Sequence, residues 1–217
     1  MLKNDYMKEV ENSLRILKME VDKNLKDGNI EKCKELINKQ FRALIGLDIE
    51  TIDTLSFETV KELLSKDNQY NAEKYIALGE LLKLEGLVSE KEGDISKKLF
   101  YYEKIVDSFF EGYEEDEAID KKYINESKKE IEELMEYEIP IRIQKKIFKL
   151  YELLGSFDKA EDLLFQMIED TNKDKEIIEE GKAFYNRLKE LSKDLLEEGN
   201  FSFEEVELSL IHISRCR

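Results

Sequence analysis

An all-α fold built from antiparallel helical hairpins is predicted by three observations. The composition holds 41% hydrophobic and 40% charged residues with 9 Gly and a single Pro, a strong bias toward helix formers. Apolar residues recur at helical intervals along most of the chain. The stretch from Ile147 to Met167 reads as two short helices folded back on each other, because Gly155 can take the left-handed conformation that closes one helix and Ser156 can cap the next. Phe157 and Ala160 then supply one large and one small side chain at the crossing.

Taken in order, Asn4 or Asp5 can cap a first helix whose apolar positions are Val10, Leu14, Ile16, Leu17, Val21 and Leu25, up to Gly28. A second helix runs from Ile30 to about Leu44 with Cys33, Leu36, Ile37, Phe41 and Leu44 inward, and Gly46 ends it. Leu47 to Leu55 is a short helical turn, Ser56 caps a helix carrying Phe57, Val60, Leu63 and Leu64, and Lys66-Asp67-Asn68-Gln69 is a loop by composition. The next helix spans Ala72 to Glu90 with Gly79 and Gly86 inside it. A mid-helix Gly costs roughly 1 kcal/mol relative to Ala, so two of them predict close approach by a neighbouring helix. After Gly93-Asp94 comes the most aromatic helix, with Leu99, Phe100, Tyr102, Ile105, Val106, Phe109 and Phe110. The acidic stretch Glu111 to Glu117 is the expected boundary between two halves. A long helix from about Ala118 to Tyr137 is expected beyond it, then a break at Ile139-Pro140, since proline disfavours helix in the residue before it. Past the 147–167 hairpin, a polar link at 170–174 leads to one last long helix with Ile177, Ile178, Phe184, Leu188, Leu191 and Leu195.

The glycine turn recurs as Gly28-Asn29-Ile30, Gly93-Asp94-Ile95 and Gly199-Asn200-Phe201. Tyr151, Gly155, Phe157, Ala160 and Leu164 resemble the second half of a tetratricopeptide repeat. The turns are unevenly spaced, the small position becomes Lys98 and Glu204 in two of them, and the usual proline is missing, so an irregular tetratricopeptide-like array is expected. A second resemblance covers about the first 115 residues. Asn4-Asp5-Tyr6, Gly46-Leu47-Asp48 and Ala72-Glu73-Lys74 leading to Leu78 and Leu81-Leu82 look like an uncharacterised family of small helical bacterial proteins, itself tetratricopeptide-like. That resemblance implies a fold and a bacterial, cytoplasmic origin and transfers no catalytic residue. The expected division is therefore an N-terminal helical domain over 1–115, tetratricopeptide-like helices over 116–207, and a tail over 208–217. Leu208 to Ile213 resembles the translation of a transposon-end adapter used in sequencing libraries, so the tail is read as non-native, and the helix begun at Phe201 is not expected to continue through it.

A formal charge of −16 and a pI near 4.7 argue against a general nucleic-acid or anionic-membrane binder, whose phosphate contacts need clustered Lys and Arg. There is no apolar run of membrane-spanning length. Cys33 and Cys216 make no disulfide framework or zinc-site spacing, and Cys33 reads as a core residue. The single imidazole, His212, lies in the tail, which leaves Ser-His-Asp and Cys-His mechanisms without their base. No phosphate-cradling loop or Glu-x-x-His pair implies a cofactor or metal, and the many Glu pairs are solvated helix faces.

One pattern rises above that background. Superposing the four turns puts Lys18, Lys83, Lys145 and Lys189 at one equivalent position before the turn glycine, Arg15 and Arg142 at another, and Lys149 and Lys193 at a third. In tetratricopeptide-like folds such positions line the concave face, where cations can clamp a peptide's carboxylates or a phosphorylated segment. The expected function is a non-enzymatic module presenting a helical groove to a peptide or protein partner. The alternative is a regulatory sensor of a small peptide or metabolite. An open-ended stack can also bury a terminal face by pairing as a homodimer.

Overall fold

The computed structural model describes residues 3–65 and 71–215; the loop expected at 66–69 lies outside the described residues. Thirteen helices and no strand occur among them: α1 (Lys3–Lys26), α2 (Ile30–Leu44), α3 (Ile49–Thr54), α4 (Phe57–Leu64), α5 (Asn71–Glu92), α6 (Ile95–Glu115), α7 (Lys122–Asn125), α8 (Lys128–Leu134), α9 (Ile141–Leu153), α10 (Phe157–Asp170), α11 (Lys175–Lys189), α12 (Lys193–Glu198) and α13 (Phe203–Arg215). They form two compact units, Met1–Glu138 and Ile139–Arg217.

The first unit is organised around α5, which is buried on every side and carries little amphipathic pattern, as a helix enclosed by neighbours should. It pairs with α6 as an antiparallel hairpin, and α1 and α2 pack against it as well. The two mid-helix glycines are where α6 comes closest: a Cβ on Gly79 would lie 2.5 Å from the Phe109 ring, and one on Gly86 2.8 Å from the Tyr102 ring. Val10, Leu14, Leu17 and Val21 of α1 and Cys33, Ile37 and Phe41 of α2 are buried as their periodicity predicts, whereas Ile16 stays 47% exposed.

The acidic stretch at 111–117 is not the unit boundary. Residues 111–115 complete α6, where Glu111 and Tyr113 are buried, Glu111 accepts an ion pair from Lys61, and Gly112 sits against Ile76 and Tyr75 of α5. The division falls instead at Glu138, next to Pro140, because α8 packs back on α6. The single helix expected over 118–137 is broken into α7 and α8. Ser127 is fully buried and its Oγ donates to the Tyr123 carbonyl at 2.8 Å, a local bond that competes with helix continuation.

In the second unit α9 and α10 form the predicted hairpin, α11 packs on α10, and α13 on α11. Gly155 has φ +69°, and the Gly155 and Ser156 amides donate to the Glu152 and Tyr151 carbonyls, so the helix end is closed by backbone and not by a Ser156 side-chain cap. Gly199 departs from the other turn glycines: its φ is −90°, and Asn200 takes the left-handed conformation at φ +58°. Gly199 is needed for room, since a Cβ there would lie 2.6 Å from the Gly155 carbonyl oxygen and against the Phe157 ring. The last long helix is likewise split, with Ser192 accepting from the Leu195 amide to start α12, and Leu195 is 50% exposed.

Helix α13 continues to Arg215, contrary to the expected stop near Glu207. Its buried positions are Val206 and Ile213, one heptad apart, and Ile213 fills the space left by the missing side chain of Gly181 beside Leu164. Ending the chain after Glu207 is expected to destabilise the second unit by about 2 kcal/mol or more, as for other losses of a buried Ile. Thermal melts of the two lengths check it, and equal midpoints would show that 208–217 contributes nothing.

Candidate interaction surface

Helix α9 carries three of the predicted cations, because Arg142, Lys145 and Lys149 fall on the face away from the buried Ile143, Ile147 and Leu150. Helix α11 turns Glu176 and Glu180 toward them. Lys145 lies 3.3 Å from Glu176, and Lys149 pairs with Glu180 and lies 3.7 Å from Glu152. Arg187 closes the ladder by donating to Glu152 from Nε at 2.6 Å and to Glu180 from Nη2 at 3.2 Å. Burial works against the Glu180 charge, yet Lys149 and Arg187 hold its carboxyl below the ordinary value; the bond to Glu152 raises the Arg187 guanidinium. Lys145, Lys149 and Arg187 are therefore matched by three carboxylates, Glu152, Glu176 and Glu180, drawn from the same two helices. An open depression of about 640 Å³, lined by Lys175, Glu176, Glu179 and Glu180, runs along the α11 side of the ladder.

Two of the predicted cations in the first unit converge on one buried acid. Glu80 on α5 is 1% exposed, and its two oxygens take Lys18 of α1 at 2.5 Å and Lys83 at 3.3 Å, while Lys83 also donates to the Glu126 carbonyl. That arrangement satisfies a charge that would otherwise be stranded in the core. Arg15 faces outward and donates to Asn12 at 2.8 Å. Lys189 ends α11, half-buried, and Lys193 opens α12, 78% exposed with Glu197 at 3.4 Å. The eight cations thus fall into Lys18 and Lys83 about Glu80, three residues on α9, Lys189 and Lys193 placed on different helices by the break at Ser192, and Arg15 by itself on the outer face of α1. Lys18, Lys83, Lys145 and Lys149 meet acid side chains of neighbouring turns or helices and do not form an uncompensated basic row.

The acidic partners Glu176 and Glu180 went unrecognised in the sequence. Their spacing of four residues copies that of Lys145 and Lys149, which is the signal that would have found them. A second cavity, about 390 Å³, opens in the first unit between Met7, Glu11, Glu73, Asp116, Ala118, Ile119, Asp120 and Tyr123. Lys122 and the Tyr123 hydroxyl, each 2.6 Å from Glu11 Oε1, hold that carboxyl below its usual value.

Among the described residues no three His, Cys, Asp or Glu side chains are grouped to hold a metal ion, and no helix is long and apolar enough to cross a membrane. His212 stacks edge-on against Phe165, 6.0 Å between ring centroids. Cys33 is fully buried, as read from the sequence. No curated protein and no solved structure matches the chain. One family model does, over residues 1–217, extending past the first 115 residues that carried the resemblance and through the C-terminal ten. The chain belongs to that family, a family of unknown function (DUF6483).

Proposed function

We propose that this protein is a non-enzymatic interaction module, an irregular tetratricopeptide-like stack that presents the α9–α11 face to a peptide or protein partner. The observation that carries the reading is the exposed Lys–Glu ladder beside an open depression. Exposed ion pairs contribute only about 0.2–1 kcal/mol each, so a charged partner segment can exchange with them at small expense. With Glu176, Glu179 and Glu180 lining the depression and Lys145 and Lys149 on its rim, the partner offers basic side chains to the floor and acidic ones to the rim.

Cross-linking in the native cell, followed by purification of whatever couples to α9 or α11, supplies the partner. The double variant Lys145→Ala/Lys149→Ala is expected to bind it about tenfold more weakly, with an unchanged circular-dichroism spectrum. Equal affinity defeats the proposal.

The 390 Å³ cavity of the first unit favours the second reading, a sensor of a small peptide or metabolite, since that volume suits a small ligand. Its carboxylate lining selects a cationic one. Thermal-shift screening separates the two, because a ligand of that cavity raises the melting point without any partner protein.

A further inference from the structure

The middle of α5 holds an acid that none of the foregoing uses. Glu85 is 4% exposed, and its Oε1 has no hydrogen-bond partner in the protein. Short helix α3 faces it with Asp53, whose Oδ1 is likewise buried without a hydrogen-bond partner. The other Asp53 oxygen pairs with Lys97 of α6 at 2.7 Å, and the Tyr101 hydroxyl, also on α6, bonds the same carboxylate. From α2 come the Cys33 thiol and Lys34, the latter engaged 2.6 Å from Glu92. On α1 the charged group turned to α5 is Lys18, committed to Glu80. Both nearby cations, Lys34 and Lys97, therefore already have carboxylate partners, and a negative Glu85 would have to share them while lying beside a second carboxylate and a phenol.

We infer that Glu85 is a buried proton switch: neutral, it allows α3 to dock on α5 and α6, and ionised, it repels Asp53 and loosens the Asp48–Leu55 segment. A proton on Glu85 removes the buried one of two neighbouring charges, the Asp53 side chain being 29% exposed, and turns an orphaned acceptor into a donor. Ionisation leaves two carboxylates competing for Lys97, the cation that ties α3 to α6. The remaining ties of this segment are few: Ile52 is buried, the Ile49 amide donates to Asn38, Arg42 of α2 pairs with Asp48 at 3.2 Å on the surface, and Lys104 donates to the Leu55 carbonyl.

Burial, and then the charge of Asp53, push the Glu85 carboxyl up from 4.5 to about 7. Because the folded-state value is the higher one, the stabilising contribution is complete below about 4.5 and is lost as pH rises through about 7. The switch therefore works across neutrality, with α3 tight on the acid side and loose on the alkaline side.

Hydrogen exchange at the Ile52 and Leu55 amides, which bond the Asp48 and Thr51 carbonyls, reads the docking of α3 directly. After correction for intrinsic exchange, protection at these two amides is expected to fall about tenfold or more between pH about 5.5 and about 8.5 in the wild type, and to change less than about twofold in Glu85→Gln. The same fall in both proteins, or none in the wild type, overturns the proposal. Should Glu85→Gln not fold, carbon-13 titration of the wild-type carboxyls decides it. A Glu85 midpoint near 7 that coincides with the loss of protection supports the switch; a midpoint below about 5, or one apart from the loss, overturns it.

Discussion

Gly79→Val is expected to destabilise the Met1–Glu138 unit by about 3 kcal/mol or more. Even the first atom of a side chain there would lie 2.5, 2.9 and 3.0 Å from three atoms of the Phe109 ring, and Phe109 is fully buried with no space to retreat into. A better helix former than glycine returns only about 0.5 kcal/mol. The clash falls on the most extensive helix pairing in the molecule, α5 with α6. Because the pairing is antiparallel, Gly86 meets Tyr102 as Gly79 meets Phe109, and the two contacts fix how closely the helices approach. Urea unfolding of the single variant, compared with the double variant Gly79→Val/Phe109→Ala, checks the cause. The second change should recover part of the loss by making room, and a Gly79→Val protein as stable as the parent would show that the helices are not in contact.

Glu133→Ala is the second large effect expected, about 2–3 kcal/mol. Lys98 is 2% exposed in α6, and its ammonium pairs with Glu133 of α8, with Glu90 3.4 Å away and the Tyr102 ring 5.5 Å beneath it. Removing one partner of a buried pair typically costs about 3–5 kcal/mol; the retained Glu90 places this case lower. Burial alone would lower the Lys98 ammonium, but Glu133, with smaller help from Tyr102 and Glu90, raises it to about 12. The folded-state value exceeds the ordinary 10.5, so this contribution is present below about 10.5 and lost as pH rises through about 12. Chemical denaturation at neutral and strongly alkaline pH should show the wild-type advantage over Glu133→Ala shrinking at the alkaline end, and an advantage independent of pH would remove Lys98 as its source. The identity of Lys98 is informative in itself. Its position after the turn is the one filled by Ala160 in the 147–167 hairpin, where a small residue permits close crossing; here a long cation reaches past the crossing to an acid on another helix.

The proposed interaction surface divides along the same line. Lys145 and Lys149 are visible in sequence as a pair one helical turn apart, and so are Glu176 and Glu180. That the two pairs meet depends on α11 lying beside α9, which no local signal states. Read singly, the lysines suggest a basic row awaiting an acidic partner; read with their neighbours, they are half of an electroneutral ladder.

Helical class, the inward stripes of α1 and α2, the glycine bends at Gly28, Gly93 and Gly155, and the close approach at Gly79 and Gly86 were all legible in the residues, because each depends on side-chain periodicity or on a backbone conformation that few residues adopt. The breaks at Ser127 and Ser192, the continuation of α6 through an acidic run, the left-handed Asn200, the pairing of buried charges at Glu80 and Lys98, and the burial of Glu85 were decided by tertiary structure. A charged residue on a helix reads as solvent-facing until a second helix covers it, and the free energy of that burial resides in partners distant along the chain.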